Sequence, residues 1–166
     1  MRHLLTTPFH LTWVLTLIVA LLPLTVFAHS KPQSILTLET PSGKQIHLTR
    51  ADLQALPQTQ FTTSTPWTSQ VHTYQGPKLS LLIEQFEQPI TSIQVFAYNG
   101  YAVDINKSEW QQYPFILAMK QDGQELTLRN KGPLWILLPF DQNPTFSSKQ
   151  SLLNQSIWQI EKIKAL

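Results

Sequence analysis

An apolar run from Leu11 to Phe27 divides this chain into two stretches that fold by different rules. It follows a short basic start, Met1-Arg2-His3. Pro23 interrupts it, and it ends at Val26-Phe27-Ala28, which places compact residues where a signal peptidase reads. A basic start, an apolar middle and a small-residue end form the pattern of a secretory signal. The run is also short for a membrane span, which needs about 20 apolar residues. Residues 1–28 are therefore expected to be a cleavable signal peptide, with the cut after Ala28. An uncleaved anchor is the alternative. Residues 29–166 are expected to form one exported domain.

That domain has no cysteine to help it fold. Exported small domains often lean on disulfides, so this one must rest on its apolar core, which a chain of this length can build. Thiolate catalysis, thiolate metal ligation and thiol redox switching are excluded. Removing Arg2 with the leader leaves eleven bases against ten acids, and the only arginines remaining are Arg50 and Arg129. The bases do not cluster, and nucleic-acid binding needs a clustered basic face. Nucleic acid is therefore not an expected partner.

From Ile35 onward the apolar residues come in short runs. Ile35–Glu39 alternates as a half-buried strand does, Thr40-Pro41-Ser42-Gly43 turns, and Gln45–Leu48 returns as a hairpin partner. Thr49 with Asp52 predicts a capped helix that ends before Pro57. Residues 58–70 read as a hydroxyl-rich strand running into a loop, and 71–77 as a strand. A helix is expected over 78–86, followed by strands over 90–97 and 101–105 joined at Tyr98-Asn99-Gly100. Ser108–Gln112 reads as a helical turn, Phe115–Lys120 as one apolar strand, Glu125–Leu128 as a short strand and Leu134–Leu138 as a buried strand. Residues 141–151 read as a polar loop, and Ile157–Ile163 as a last strand. Many short strands with a few short helices predict an α+β domain built on a mixed sheet. There is no HExxH, serine triad spacing or phosphate loop.

Five segments follow one another in a suggestive order. They are Thr62–Trp67, Tyr74–Leu79, Ala97–Tyr101, Leu117–Gly123 and Arg129–Trp135. Together they resemble the small periplasmic members of the molybdopterin-binding domain family, which have the sulfite-oxidase-type fold. The resemblance covers residues 35–163. It implies enzymes that hold molybdenum through a pyranopterin dithiolene and one protein cysteine. That cysteine belongs to the segment corresponding to residues 60–67, and this chain has none there; a hydroxyl is a poor substitute for a soft thiolate. Among relatives without the cysteine, the resemblance is to pterin-binding regulators that act on a membrane diguanylate cyclase or sensor kinase. The implied function is thus a periplasmic pterin-binding sensor, with no metal expected. The alternative is a molybdopterin-dependent oxidoreductase or an accessory protein of one.

A pterin needs an aromatic face to stack on and hydrogen-bonding partners around its edge. Trp67, Tyr101 and Trp135 lie in the motifs above and are the expected stacking residues. Thr63, Thr65 and Asn99 are expected to supply neutral hydrogen bonds. Asp104 or Asp141 is expected to accept from the amino edge, and Arg129, aided by Lys131, to meet a phosphate. The plainer readings are core packing for Trp135 and Tyr101, turn formation for Asn99, and solvated charge for Asp104 and Arg129.

Overall fold

Alternating burial builds the main sheet of the structure, a computed structural model that describes residues 33–166. The expected signal peptide, residues 1–28, lies outside the described residues. In β1 (Ser34–Glu39), Leu36 and Leu38 point inward, and in β5 (Ser92–Ala97) so do Ile93, Val95 and Ala97. These strands join β2 (Gln45–Thr49), β6 (Ala102–Asn106) and β11 (Ile160–Ala165) in a five-stranded sheet of order β2-β1-β11-β5-β6. The β1–β11 pair is parallel, with Leu38 opposite Ile163; the other neighbours are antiparallel. The first and last strands of the domain thus pair at its centre.

Two smaller sheets accompany this one, where a single mixed sheet was expected. β3 (Gln58–Thr63), β4 (His72–Pro77), β8 (Lys120–Gln121) and β9 (Gln124–Glu125) form the first, and β7 (Ile116–Ala118) and β10 (Trp135–Leu137) the second. The expected single strand over Phe115–Lys120 is therefore divided between two sheets. Met119 is the pivot: its amide donates to Gln75 and its carbonyl accepts from Leu126, while Leu117 and Ala118 pair with β10. An apolar run fixes burial but not the partner strand, so the break is silent in the sequence. The strand expected at Glu125–Leu128 is cut short by a 3-10 turn at Leu128–Asn130, where Asn130 bonds back to Thr127.

Helices fill the corners. α1 (Arg50–Ala55) starts at Thr49, whose hydroxyl accepts from the Asp52 amide while the Asp52 carboxylate accepts from the Thr49 amide, the capping box expected from sequence. α2 is shorter than expected, Leu79–Ile83, because the chain then tightens into successive turns from Gln85 to Leu82 and Phe86 to Ile83. The helical spacing of apolar residues persists there without the α-helical bonds. α3 (Lys107–Gln112) buries Trp110.

The 141–151 segment is largely helical, correcting its reading as a loop. A 3-10 turn at Phe140–Gln142 leads to α4 (Pro144–Ser148) and α5 (Gln150–Gln155). Asn143 caps α4 through the Thr145 amide, and Pro144 occupies the first helical position, a favoured start. Phe146 and Leu152 are buried under polar neighbours, a stripe too sparse to stand out. The last strand begins three residues later than expected, at Ile160. Trp158 is held instead by an isolated bridge to Trp135. Among the described residues, no helix is long and apolar enough to cross a membrane.

Candidate functional site

The edge of the aromatic core opens into a cleft of about 400 Å3. Three pieces of chain meet there: the loop after β3, the β5–β6 turn, and the α5–β11 connection. The first brings Pro66 and Trp67, the second Ala97, Asn99 and Tyr101, and the third Gln150, Leu153, Asn154, Ser156, Ile157 and Trp158. Backbone bonds fix the three pieces. Tyr98 donates to Gln159 at 3.0 Å, Gly100 to Ala97 at 3.0 Å, and Ile136 to Ile157 at 2.9 Å.

Trp67 is half-buried and makes edge contacts with Trp135, Phe140 and Trp158 at centroid distances of 6.0, 5.8 and 5.7 Å. Trp135 lies beneath, fully buried, against Trp158 and Tyr74. Its indole N–H donates to the Ser156 carbonyl at 3.1 Å, so the core and the cleft wall share one bond. The Lys131 ammonium sits 5.6 Å from the ring centres of both Trp135 and Trp158, a cation–π arrangement that rigidifies the pair. Tyr101 is 46% exposed, and its hydroxyl reaches the Asn154 carbonyl at 3.4 Å. The rim is made of carboxamides. The Gln150 side-chain NH2 donates to Asn154 Oδ1 at 2.8 Å, and Asn99 Oδ1 accepts from the Tyr101 amide at 3.0 Å.

The structure brings together three of the residues singled out from sequence: Trp67, Asn99 and Tyr101. Trp135 supports the cleft from below and does not line it, because its strand β10 is the most deeply buried in the domain. Thr63 and Thr65 are buried and serve the loop itself. The Thr63 hydroxyl accepts from the Asp141 amide, and the Thr65 hydroxyl contacts that of Thr68 and accepts from the Trp67 amide. Asp104 lies on the exposed face of β6, bonded to the Gln94 side chain at 2.9 Å. Arg129 is exposed on the 3-10 turn, and neither lines the cleft. Gln150, Asn154, Ser156 and Trp158 were missed. Gln150 and Asn154 lie on α5, which starts at Lys149 without a side-chain cap, so no start signal marks it in the sequence.

Asp141 is also displaced from the ligand role expected for it. It accepts from the Ser64 amide at 2.6 Å and from the Ser64 hydroxyl. These two bonds, the hydroxyl's first, hold its carboxyl below the usual carboxylate range. A carboxylate depressed in the folded state contributes stability above its unfolded value, about 3.9, and loses it as pH falls through the folded value. Its exposure keeps the effect small. Asp141→Asn is therefore expected to show a shallower fall in Tm than the parent as pH drops below about 4. Thermal unfolding followed across pH tests this, and parallel curves would remove Asp141 from the clasp that sets the Trp67 loop.

The residues of the 60–67 segment do not fit a molybdenum ligand. The chain has no thiolate to offer, and the hydroxyls there are engaged within the protein: Thr62 with Thr73, Thr63 and Ser64 with Asp141, and Thr65 with Thr68. Among the described residues, no group of three histidines or acids is placed to hold a metal ion. The cleft does fit a flat ring, since it offers aromatic walls and a carboxamide rim at a size suited to a small heterocycle.

No family model matches the chain, and no curated protein does. Among solved structures the chain is similar to the sulfane dehydrogenase SoxCD from Paracoccus pantotrophus. The TM-score is 0.59 at 16% identity, over 82% of this chain and 39% of that one. At that identity the likeness concerns the fold alone, and this chain spans well under half the length of that protein. It shows a fold similar to part of that dehydrogenase.

Proposed function

We propose that this chain is a pterin-binding sensor module rather than an oxidoreductase. The observation that carries the reading is the cleft itself: an open, ring-sized space walled by Trp67, Trp158 and Tyr101 and rimmed by carboxamides, on a fold that a sulfane dehydrogenase shares. An indole or phenol face stacks on a heteroaromatic ring, and carboxamides pair with its amino, N–H and carbonyl edge. The leader pattern supports a periplasmic location, and a periplasmic sensor acts through a membrane partner; a diguanylate cyclase or a sensor kinase is the class proposed. The fold likeness favours one competing reading, a molybdopterin oxidoreductase or its accessory. The missing thiolate weighs against it.

Two measurements test the proposal. Protein purified from its native compartment is released from small molecules, whose fluorescence is read while molybdenum is assayed. Pterin emission without molybdenum supports the sensor; a molybdenum cofactor would put the enzyme first. In parallel, Trp67→Ala is expected to weaken pterin binding by about 1–3 kcal/mol, the worth of one stacking aromatic. Arg129→Ala, on the exposed turn, is expected to leave the affinity unchanged. Titration of intrinsic fluorescence gives both values, with far-UV circular dichroism checking the fold. An undiminished affinity in Trp67→Ala would move the ligand out of this cleft.

A further inference from the structure

Molybdopterin carries a phosphate, and the cleft described above has nothing to meet one. None of its lining side chains bears a formal charge. The nearby cations are committed elsewhere. The Lys149 ammonium lies 5.2 Å over the Tyr113 ring and reaches its hydroxyl at 3.3 Å. Lys131 is held over Trp135 and Trp158 and does not line the cleft. Arg129 lies outside it as well. The acids expected at the site, Asp104 and Asp141, are bonded to Gln94 and Ser64.

What the cleft does present is neutral and directional. Because the Gln150 side-chain NH2 is given to Asn154 Oδ1, Gln150 Oε1 is left as an acceptor and the Asn154 NH2 as a donor. Asn99 Oδ1 takes the Tyr101 amide, leaving its NH2 as a second donor. A lactam–amidine edge offers a carbonyl, an N–H and an amino group; a rim NH2 can give to the carbonyl, and Gln150 Oε1 can accept from one of the two donors. Seating a phosphate dianion among these uncharged side chains would give up part of its hydration with no counter-charge to replace it, which disfavours the phosphorylated ligand.

We infer that the cleft selects an uncharged, unphosphorylated bicyclic heteroaromatic, read by carboxamides and stacked on indole, and so excludes the phosphorylated cofactor of the fold's enzymes. The inference rests on the reading of this cleft as a ring-binding site. It follows that binding is nearly independent of ionic strength, because no ion pair forms.

The test uses four probes on the purified full chain, titrated by fluorescence and calorimetry at about 50 and about 500 mM salt. They are 6-hydroxymethylpterin, its phosphate monoester, adenosine and its 5′-monophosphate. The expected result is that 6-hydroxymethylpterin binds at least about tenfold more tightly than its ester, with the same affinity at both salt concentrations. Tighter binding of the ester, weakened by salt, would overturn the selectivity and leave the pterin reading standing. Binding of adenosine over its monophosphate, with neither pterin bound, would overturn the pterin reading and uphold the neutral cleft. Binding of none of the four would overturn both.

Discussion

Trp135→Ala is expected to destabilise the domain by about 3–5 kcal/mol, the range for truncating a large buried aromatic. Trp135 is fully buried and meets Trp67, Tyr74 and Trp158 edge to face, with centroids at 6.0, 5.5 and 6.1 Å. Its removal leaves a cavity that three rings on three different segments would have to close together. It also strands the Ser156 carbonyl, which accepts from the indole N–H in a buried setting, at a further cost of about 1–3 kcal/mol if no water replaces the donor. Small domains have about 5–15 kcal/mol in total, so the variant would sit at or below the limit of a folded population. Urea denaturation followed by circular dichroism gives the value. Trp135→Phe separates packing from binding: it keeps most of the volume and loses the bond to Ser156. It is expected to fold and to bind ligand less tightly, because Ser156 and Trp158 form the wall above it. If Trp135→Ala stays within about 1 kcal/mol of the parent, the aromatic cluster is not what supports the cleft.

The same tryptophan marks where sequence reasoning succeeded and where it stopped. Period-two alternation located β1, β2, β5 and β6, because a sheet with one buried face writes its register into the residue order. Thr49 and Asp52 located the start of α1 through chemistry confined to four residues. Tertiary choices were not legible. Nothing in Phe115–Lys120 tells Met119 to leave one sheet for another, since every residue of the run is buried or half-buried either way. Trp135 allows two readings in the sequence, core packing and ligand stacking, and the structure places it in the core beneath the cleft without lining it. Thr63 and Thr65 are expected as ligand groups only because they fall in the segment that carries the family's metal ligand; Asp141, far along the chain, engages Thr63 instead. The carboxamides of α5 escaped notice because that helix starts at Lys149 without a side-chain cap, and Trp158 because its segment reads as an ordinary strand. A cleft assembled from three distant segments leaves no spacing in the sequence to find.

Gly76→Ala is the second large effect, and its cause is backbone rather than side chain. A Cβ on Gly76 would lie 1.9 Å from the Leu117 carbonyl oxygen, 2.6 Å from its carbon and 2.9 Å from the Ala118 Cα. All three are main-chain atoms of β7, so no rotamer change can relieve the contact. The geometry follows from what β4 does at this point. Gln75 pairs with Lys120 of β8 and accepts from the Met119 amide, Lys78 bridges to Ile116, and the Leu79 amide donates to Phe115. One strand thus passes from one small sheet to the edge of the other within four residues, and the missing side chain lets the two backbones cross. Making room would pull Leu117 and Ala118 from their pairing with Ile136 and Trp135 and disturb the floor of the cleft. Overpacking of a tight core costs about 1–3 kcal/mol when side chains can move and more when they cannot, so a loss of about 3 kcal/mol or more is expected. Gly100→Ala is the informative control: its Cβ meets nothing within 4 Å, and the strain comes only from its φ of +82°, about 1–2 kcal/mol. Thermal and urea unfolding of the two variants should rank Gly76→Ala well below Gly100→Ala. The reverse order would mean that β4 and β7 do not cross at Gly76, and that something else joins the two small sheets beneath the cleft.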